Sequence, residues 1–298
     1  DTVDKYSLGP DCDCSKDKPH EYNSQDNDHP IRIRGGNHNV VLDGVDIDNS
    51  SNTSGSDIDK TAPAIEISRA VTPPYSISNV TITLKGENSL KSPDGRAGIQ
   101  ITTGNFLTIN GDGNLTAEGG KSGAGIGNAG ESDASGEITI ETDSTKSTAA
   151  IPKGKITAIG GKAAAGIGGG EGGGCGTITI NSGIVDARGG EGYMFNKVPT
   201  KGGAGIGTGG KGKGGGEVVL AGGDVYVTGG LGGDTDYPQR EGIDCTALSS
   251  DKGSANLYSN SPISKSTNTD EFNGIVWTQD KSGNDYTMGM VYGKAVLN

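Results

Sequence analysis

The chain has 298 residues, Gly 55 among them, and carries a formal net charge of -12. Leu, Ile, Val and Phe make up roughly 18% of it, a composition that by itself argues against an ordinary globular core. So acidic a chain lacks the basic face that a phosphate backbone requires, which argues against nucleic acid as a partner. No run approaches 18 consecutive apolar residues, so no membrane span is expected. Asp1 follows neither a Met nor a signal peptide, and the sequence reads as a trimmed product of a longer precursor.

Residues 1–29 are polar, with Cys, Pro and Asp, and read either as a loose N-terminal arm or as a cap. A three-part cycle begins at residue 30. Pro30-Ile-Arg-Ile-Arg34, Asn39-Val-Val-Leu42 and Val45-Asp-Ile-Asp48 form the first unit. Ala64-Ile-Glu-Ile67, Asn79-Val-Thr-Ile-Thr-Leu84 and the region around Leu90 form the second. Arg96-Ala-Gly-Ile-Gln-Ile101, Phe106-Leu-Thr-Ile109 and Asn114-Leu-Thr-Ala-Glu-Gly-Gly120 form the third. Glycine-rich units follow, opened by Gly123-Ala-Gly-Ile-Gly127, Ala164-Ala-Gly-Ile-Gly168 and Gly203-Ala-Gly-Ile-Gly207. Their middle runs recur every 40 residues (Ile138, Ile178, Val218), and each unit closes on a double glycine. Arg240-Glu-Gly-Ile-Asp244 restarts the cycle. Residues 251–298 leave the pattern and carry larger side chains, as expected of C-terminal turns and a cap over an open solenoid end.

Each run alternates apolar with polar or small residues, the mark of a strand buried on one face. Turn residues separate the runs, and no helix-length pattern intervenes, which excludes a doubly wound α/β fold. The expected fold is all-β: a right-handed parallel β-helix over residues 30–250, with three short strands per turn and about seven turns. Ile31, Ile65, Ile99, Ile126, Ile167, Ile206 and Ile243 should form one internal ladder. Leu42, Ile82, Ile109, Ile140, Ile180 and Leu220 should form a second. In the Gly-Ala-Gly-Ile-Gly strands the glycines are expected to point outward and leave a flat stripe of exposed backbone. Two uses of that glycine stand side by side, a close-fitting partner surface and steric relief at tight corners.

Several strings tempt without carrying chemistry. Gly125-x-Gly-x-x-Gly130 and Gly205-x-Gly-x-x-Gly210 match a dinucleotide fingerprint, but no helix follows to meet a pyrophosphate, so no organic cofactor is expected. Gly205 to Lys211 lacks the Ser or Thr of a phosphate-binding loop, since residue 212 is Gly. Asp46, Asp48, Asp57 and Asp59 crowd one strand and the loop after it. They read either as a solvated acidic loop or as a calcium site, because calcium takes carboxylate and carbonyl oxygens. Cys12 and Cys14 lie near His20, His29 and His38 in sequence, which makes zinc conceivable, although the spacing matches no finger. A disulfide involving Cys12 or Cys14 is the expectation if the protein is secreted.

Two adjacent units carry long insertions between their third strand and the next first strand. Glu191 to Lys201 contains Tyr193 and Phe195; Leu231 to Arg240 contains Asp234, Asp236, Tyr237 and Arg240. Equivalent corners of successive turns are neighbours, so these loops should lie together. Aromatic rings offer apolar surface to sugar faces, while Asp and Arg bond hydroxyls. These six residues are therefore the candidate ligand site, against the alternative that the aromatics only pin down two long loops. No spacing singles out a catalytic carboxylate pair, and catalytic residues are not assigned.

The phased Gly-Ala-Gly-Ile-Gly, Thr-Ile-Thr-Ile and Gly-Gly runs resemble glycine-rich repeats of secreted or wall-attached surface proteins of gut Firmicutes, over about residues 30 to 298. The resemblance implies a pectate-lyase-like β-helix of carbohydrate-binding or adhesive character. It carries no catalytic motif onto these residues. The expected function is thus an extracellular or cell-surface, adhesin-like module that binds polysaccharide or a host surface glycan. The alternatives are a carbohydrate-active enzyme (polysaccharide lyase or glycoside hydrolase) on the same scaffold, and a structural spacer or filament subunit.

Overall fold

The computed structural model describes the chain except residues 1–4, 13–14, 27–28, 52–60, 74–75, 131–133, 146–147, 149–152, 213–214, 235–238, 251–254, 260, 262–272, 280–285 and 292–298, together with the side chains of 250, 273–279 and 286–291. The chain folds into a parallel β-helix. Each turn contributes one short strand to each of three parallel sheets, and seven such turns stack between Ile31 and Ser259. The fourth turn is typical: Ile126–Gly127 in the first sheet, Glu137–Thr142 in the second and Lys155–Ile159 in the third. β-Branched residues dominate these runs because they fit a pleated surface buried on one side.

The first ladder forms as the sequence reading has it. Ile31, Ile65, Ile99, Ile126, Ile167, Ile206 and Ile243 pair in register from turn to turn, and all are buried. The second ladder needs one correction. Val40, not Leu42, lies opposite Ile82, and Leu42 lies opposite Leu84. Strands Gly36–Asp43 and Ser78–Lys85 are both longer than their later counterparts. A shift of two residues keeps the same face inward, so alternation alone could not fix the register there. The third sheet supplies a ladder of Leu115, Ile156, Val185, Val225 and Leu257, beside a column of Ala117, Ala158 and Ala187.

The glycine stripe is not an exposed face. Gly123, Gly125 and Gly127 are buried, as are their equivalents in the next two turns. After Gly127, Gly168 and Gly207, whose φ angles are 144°, 126° and 138°, the chain reverses. Asn128, Gly169 and Thr208 then offer their carbonyls to the amides of Ala124, Ala165 and Ala204. The returning loops lie over the strand and cover it. On the other side, a Cβ on Gly125 would stand 2.5 Å from the Ile159 amide nitrogen and 2.9 Å from the Ala117 carbonyl oxygen. The alanine column thus lets the third sheet close tightly on the glycine column. Of the two readings of glycine, the structure shows the packing one.

Residues of the N-terminal segment cap the solenoid. Ser7–Leu8 pairs with the first sheet and His20–Asn23 with the second, and Tyr22 plugs the core end with no exposed surface. Asp26, itself buried, accepts from the Lys5 ammonium at 2.7 Å and the Tyr6 hydroxyl at 2.8 Å. At the other end, Asn273–Gln279 and Tyr286–Val291 extend the third sheet as an antiparallel pair. The disulfide joins Cys175 to Cys245, 70 residues apart. This corrects the expectation placed on Cys12, whose sulfur instead lies 2.8 Å from His20 Nε2; Cys14 lies outside the described residues. The bond ties the fifth turn to the seventh across the sixth.

Two measurements check this frame. Ile167→Asp places an unpaired carboxylate in a one-residue-deep core and is expected to cost about 3–5 kcal/mol, lowering the thermal midpoint sharply in circular dichroism; an unchanged melt would disprove the register. Cys245→Ser opens a long loop in the unfolded state and should cost up to about 4 kcal/mol, read by denaturant titration of oxidised and variant protein.

Candidate functional site

The site lies along the corner where the third sheet hands over to the first. Most turns cross this corner on a double glycine, but the fifth turn inserts a β-hairpin. Met194–Phe195 pairs antiparallel with Val198–Pro199, and Asn196 and Lys197 close it at φ 49° and 65°. Two successive positive φ values twist the hairpin in the sense strands prefer. Thr200 fastens its root: its amide and hydroxyl donate to the Tyr193 carbonyl, and its hydroxyl accepts from the Tyr193 amide at 2.8 Å. The insertion of the sixth turn lies alongside. The Gly192 amide donates to the Leu231 carbonyl at 2.7 Å, and the Gly233 amide to the Thr200 carbonyl at 2.9 Å. The two loops are neighbours, as the spacing of the repeats requires.

Beneath the hairpin sits a residue that the sequence reading missed. Glu171 is only 5% exposed and gathers groups from three other segments. Its carboxylate accepts from the Ser122 hydroxyl at 2.6 Å, from the Tyr193 hydroxyl at 2.9 Å to each oxygen, and from the Lys211 ammonium at 2.7 Å. Burial alone would raise its pKa, but the Lys211, Ser122 and Tyr193 hydrogen bonds outweigh that and hold it below the usual glutamate range. The same contact, added to burial, pushes the Tyr193 hydroxyl up. Lys121 and Lys211 place their ammonium groups 4.5 Å and 5.5 Å from the ring centres of Tyr193 and Phe195. An acid standing alone in the glycine-rich stretch 169–174 was the available signal.

A groove of about 660 Å³ runs beside this cluster, parallel to the solenoid axis. Its lining comes from five successive turns: Ser50; Lys91, Ser92 and Asp94; Glu118 to Lys121; Gly161 and Lys162; Tyr193 and Met194. With strands stacked about 4.8 Å apart, four spacings give a length near ~19 Å. Its lining combines Gly119, Gly120 and Gly161 with side chains that carry ammonium, carboxylate and hydroxyl groups.

Of the residues singled out from sequence, Tyr193 lines this groove and Phe195 stands beside it, 55% exposed. Asp234 sits half-buried in the neighbouring loop, and Asp236 and Tyr237 lie outside the described residues. Arg240 points elsewhere: its guanidinium pairs with Asp244, donates to the Thr208 hydroxyl at 3.0 Å and lies 3.1 Å from Glu241. The structure therefore brings Tyr193 and Phe195 together and separates Arg240 from them. Asp46 and Asp48 flank one short strand at the N-terminal edge of the third sheet. Asp48 accepts from the Ser50 side chain and amide, which lower its pKa, and lies 3.6 Å from Lys91. Asp57 and Asp59 lie outside the described residues. Among the described residues no group of three or more His, Cys, Asp or Glu side chains is arranged to hold a metal ion.

Sequence reading also passed over Tyr226 and Tyr258, which occupy one register position in successive turns. Their rings stack at 4.5 Å with planes 11° apart. Each uses one ring face on the other, so the pair cross-links two turns, and Tyr226 remains 41% exposed. No family model matches the chain, and neither a curated protein nor a solved structure matches it.

The Glu171 cluster makes a prediction with a definite sign. The folded-state pKa lies below the unfolded value, so the stabilisation is present at neutral pH and is lost as pH falls through roughly 4 and below. Glu171→Gln should lower stability by about 1–3 kcal/mol at pH 7. The gap between variant and parent melting temperatures should then narrow on acidification; a gap independent of pH would show that the charge of Glu171 is not what matters.

Proposed function

We propose that this chain is an extracellular polysaccharide-binding surface module, and that the axial groove is its binding surface. The observation that carries this reading is that five turns of the solenoid line one continuous groove. A polymer of repeating units meets a repeating wall, and the pitch between turns is close to the length of a sugar ring along an extended chain. The lining suits hydroxyl-bearing ligands. Lys121 and Lys162 can donate, Asp94 and Glu118 can accept, and Gly119, Gly120 and Gly161 bring backbone into the lining. The Tyr193 ring closes one end. The Cys175–Cys245 disulfide agrees with an oxidising, extracellular compartment, and the resemblance to glycine-rich surface repeats points the same way.

The test is retention on a panel of immobilised polysaccharides. Lys121→Ala combined with Lys162→Ala removes two donors from the middle of the groove and should weaken retention about tenfold or more. Because both act at the surface, melting should stay within a few degrees of the parent. Undiminished retention by the double variant would place any glycan elsewhere. Assaying the retained polysaccharide for new reducing ends or unsaturated products decides the enzyme alternative, for which Asp94 and Glu118 are the carboxylates at hand.

A further inference from the structure

We propose that the hairpin at the fifth turn is an interfacial anchor that dips into an anionic lipid surface. The first observation is where the apolar surface lies. Among the described residues, large exposed hydrophobic side chains concentrate on this corner: Met194 at 52%, Phe195 at 55%, Val198 at 61% and, from the adjacent loop, Leu231 at 55%. The other exposed large hydrophobic side chains among the described residues, Val71 at 76%, Ile77 at 43% and Tyr226 at 41%, lie outside this corner.

The second observation is how they are arranged. Phe195 faces Val198 across the hairpin, and Met194 faces Pro199. Successive strand residues project to opposite sides, so the hairpin is apolar on both of its faces. A protein partner lying against it would cover one face and leave the other in water. A bilayer interface surrounds both.

The third observation is charge. In a chain of net charge -12, the hairpin and its base hold Lys197 in the turn, Lys201 beyond the second strand, and Lys211 and Lys121 against the Phe195 and Tyr193 rings. Glu171 is already matched by Lys211, which leaves Glu191 as the exposed acid of this loop. Lysine stems can lie along apolar surface while their ammonium groups reach lipid phosphates. The remaining acidic surface is screened beyond about 8–10 Å at physiological salt. The anchor is argued from the hairpin tip and its charges and does not rest on the polysaccharide reading, although Met194 and Lys121 also line the groove.

The experiment is co-sedimentation of the full chain with phosphatidylcholine vesicles, with and without phosphatidylglycerol. The parent should sediment with the anionic vesicles, and less so at high salt. Phe195→Ser combined with Val198→Ser should weaken vesicle binding about tenfold or more while leaving the melting temperature unchanged. Lys197→Glu with Lys201→Glu should erase the preference for anionic vesicles. Phe195→Trp gives a second readout, since its fluorescence should shift to the blue on insertion. Absence of parent binding at low salt, or equal sedimentation of the serine variant, overturns the proposal. So does concentration-dependent self-association that the serine variant abolishes without any vesicle binding, which would assign the tip to a second copy of the chain.

Discussion

The structure depends on one constraint: each turn owns too few apolar atoms to bury anything alone. A turn of the glycine-rich region brings one isoleucine from its first strand and two aliphatic side chains, alanine among them, from each of its second and third. These make a core only when the same positions of the next turn lie directly above them. The in-register isoleucine column is therefore both the hydrophobic core and the device that sets strand pairing. A slip of one residue would turn every column outward at once, which makes the register cooperative along the axis.

Glycine plays the complementary part. Where a double glycine crosses the corner between the third and first sheets there is no room for a Cβ, and the chain doubles back over its own short strand only because positive φ costs glycine little. This explains how a composition that looks disordered encloses a hydrophobic interior. It also explains why the hairpin of the fifth turn projects outward. The backbone beneath it leaves no space to fold inward, so the insertion became a protrusion, held at its root by Glu171 and Thr200.

Much of this was legible in the sequence, for reasons that differ by residue. The isoleucine ladder could be read because period-two alternation and the 40-residue repeat agree on the same positions. The Val40–Ile82 pairing could not, since a two-residue shift preserves alternation. The burial of the glycine strands depends on the reversal after Gly127, Gly168 and Gly207, a backbone property that a string of glycines does not specify. Side-by-side placement of the two insertions follows from repeat spacing alone. The lining of the groove does not: Ser50 and Met194 are far apart in sequence and line one groove only because five corners stack. Likewise Cys175 and Cys245 sit in loops of different length, and only the stacked turns bring them together.

That disulfide has a mechanical consequence. A solenoid pulled from its C-terminal end would come apart like a peeled coil, one turn at a time, each release adding slack. Peeling that reached Cys245 would stop there, because the covalent link carries the load directly to Cys175 and bypasses the 70 residues between them. Those residues, which include the whole sixth turn and the hairpin, represent roughly 240 Å of extended chain withheld from the line of force. For a module held to a surface in flowing liquid, the clamp would keep the hairpin and its end of the groove folded while turns beyond it paid out.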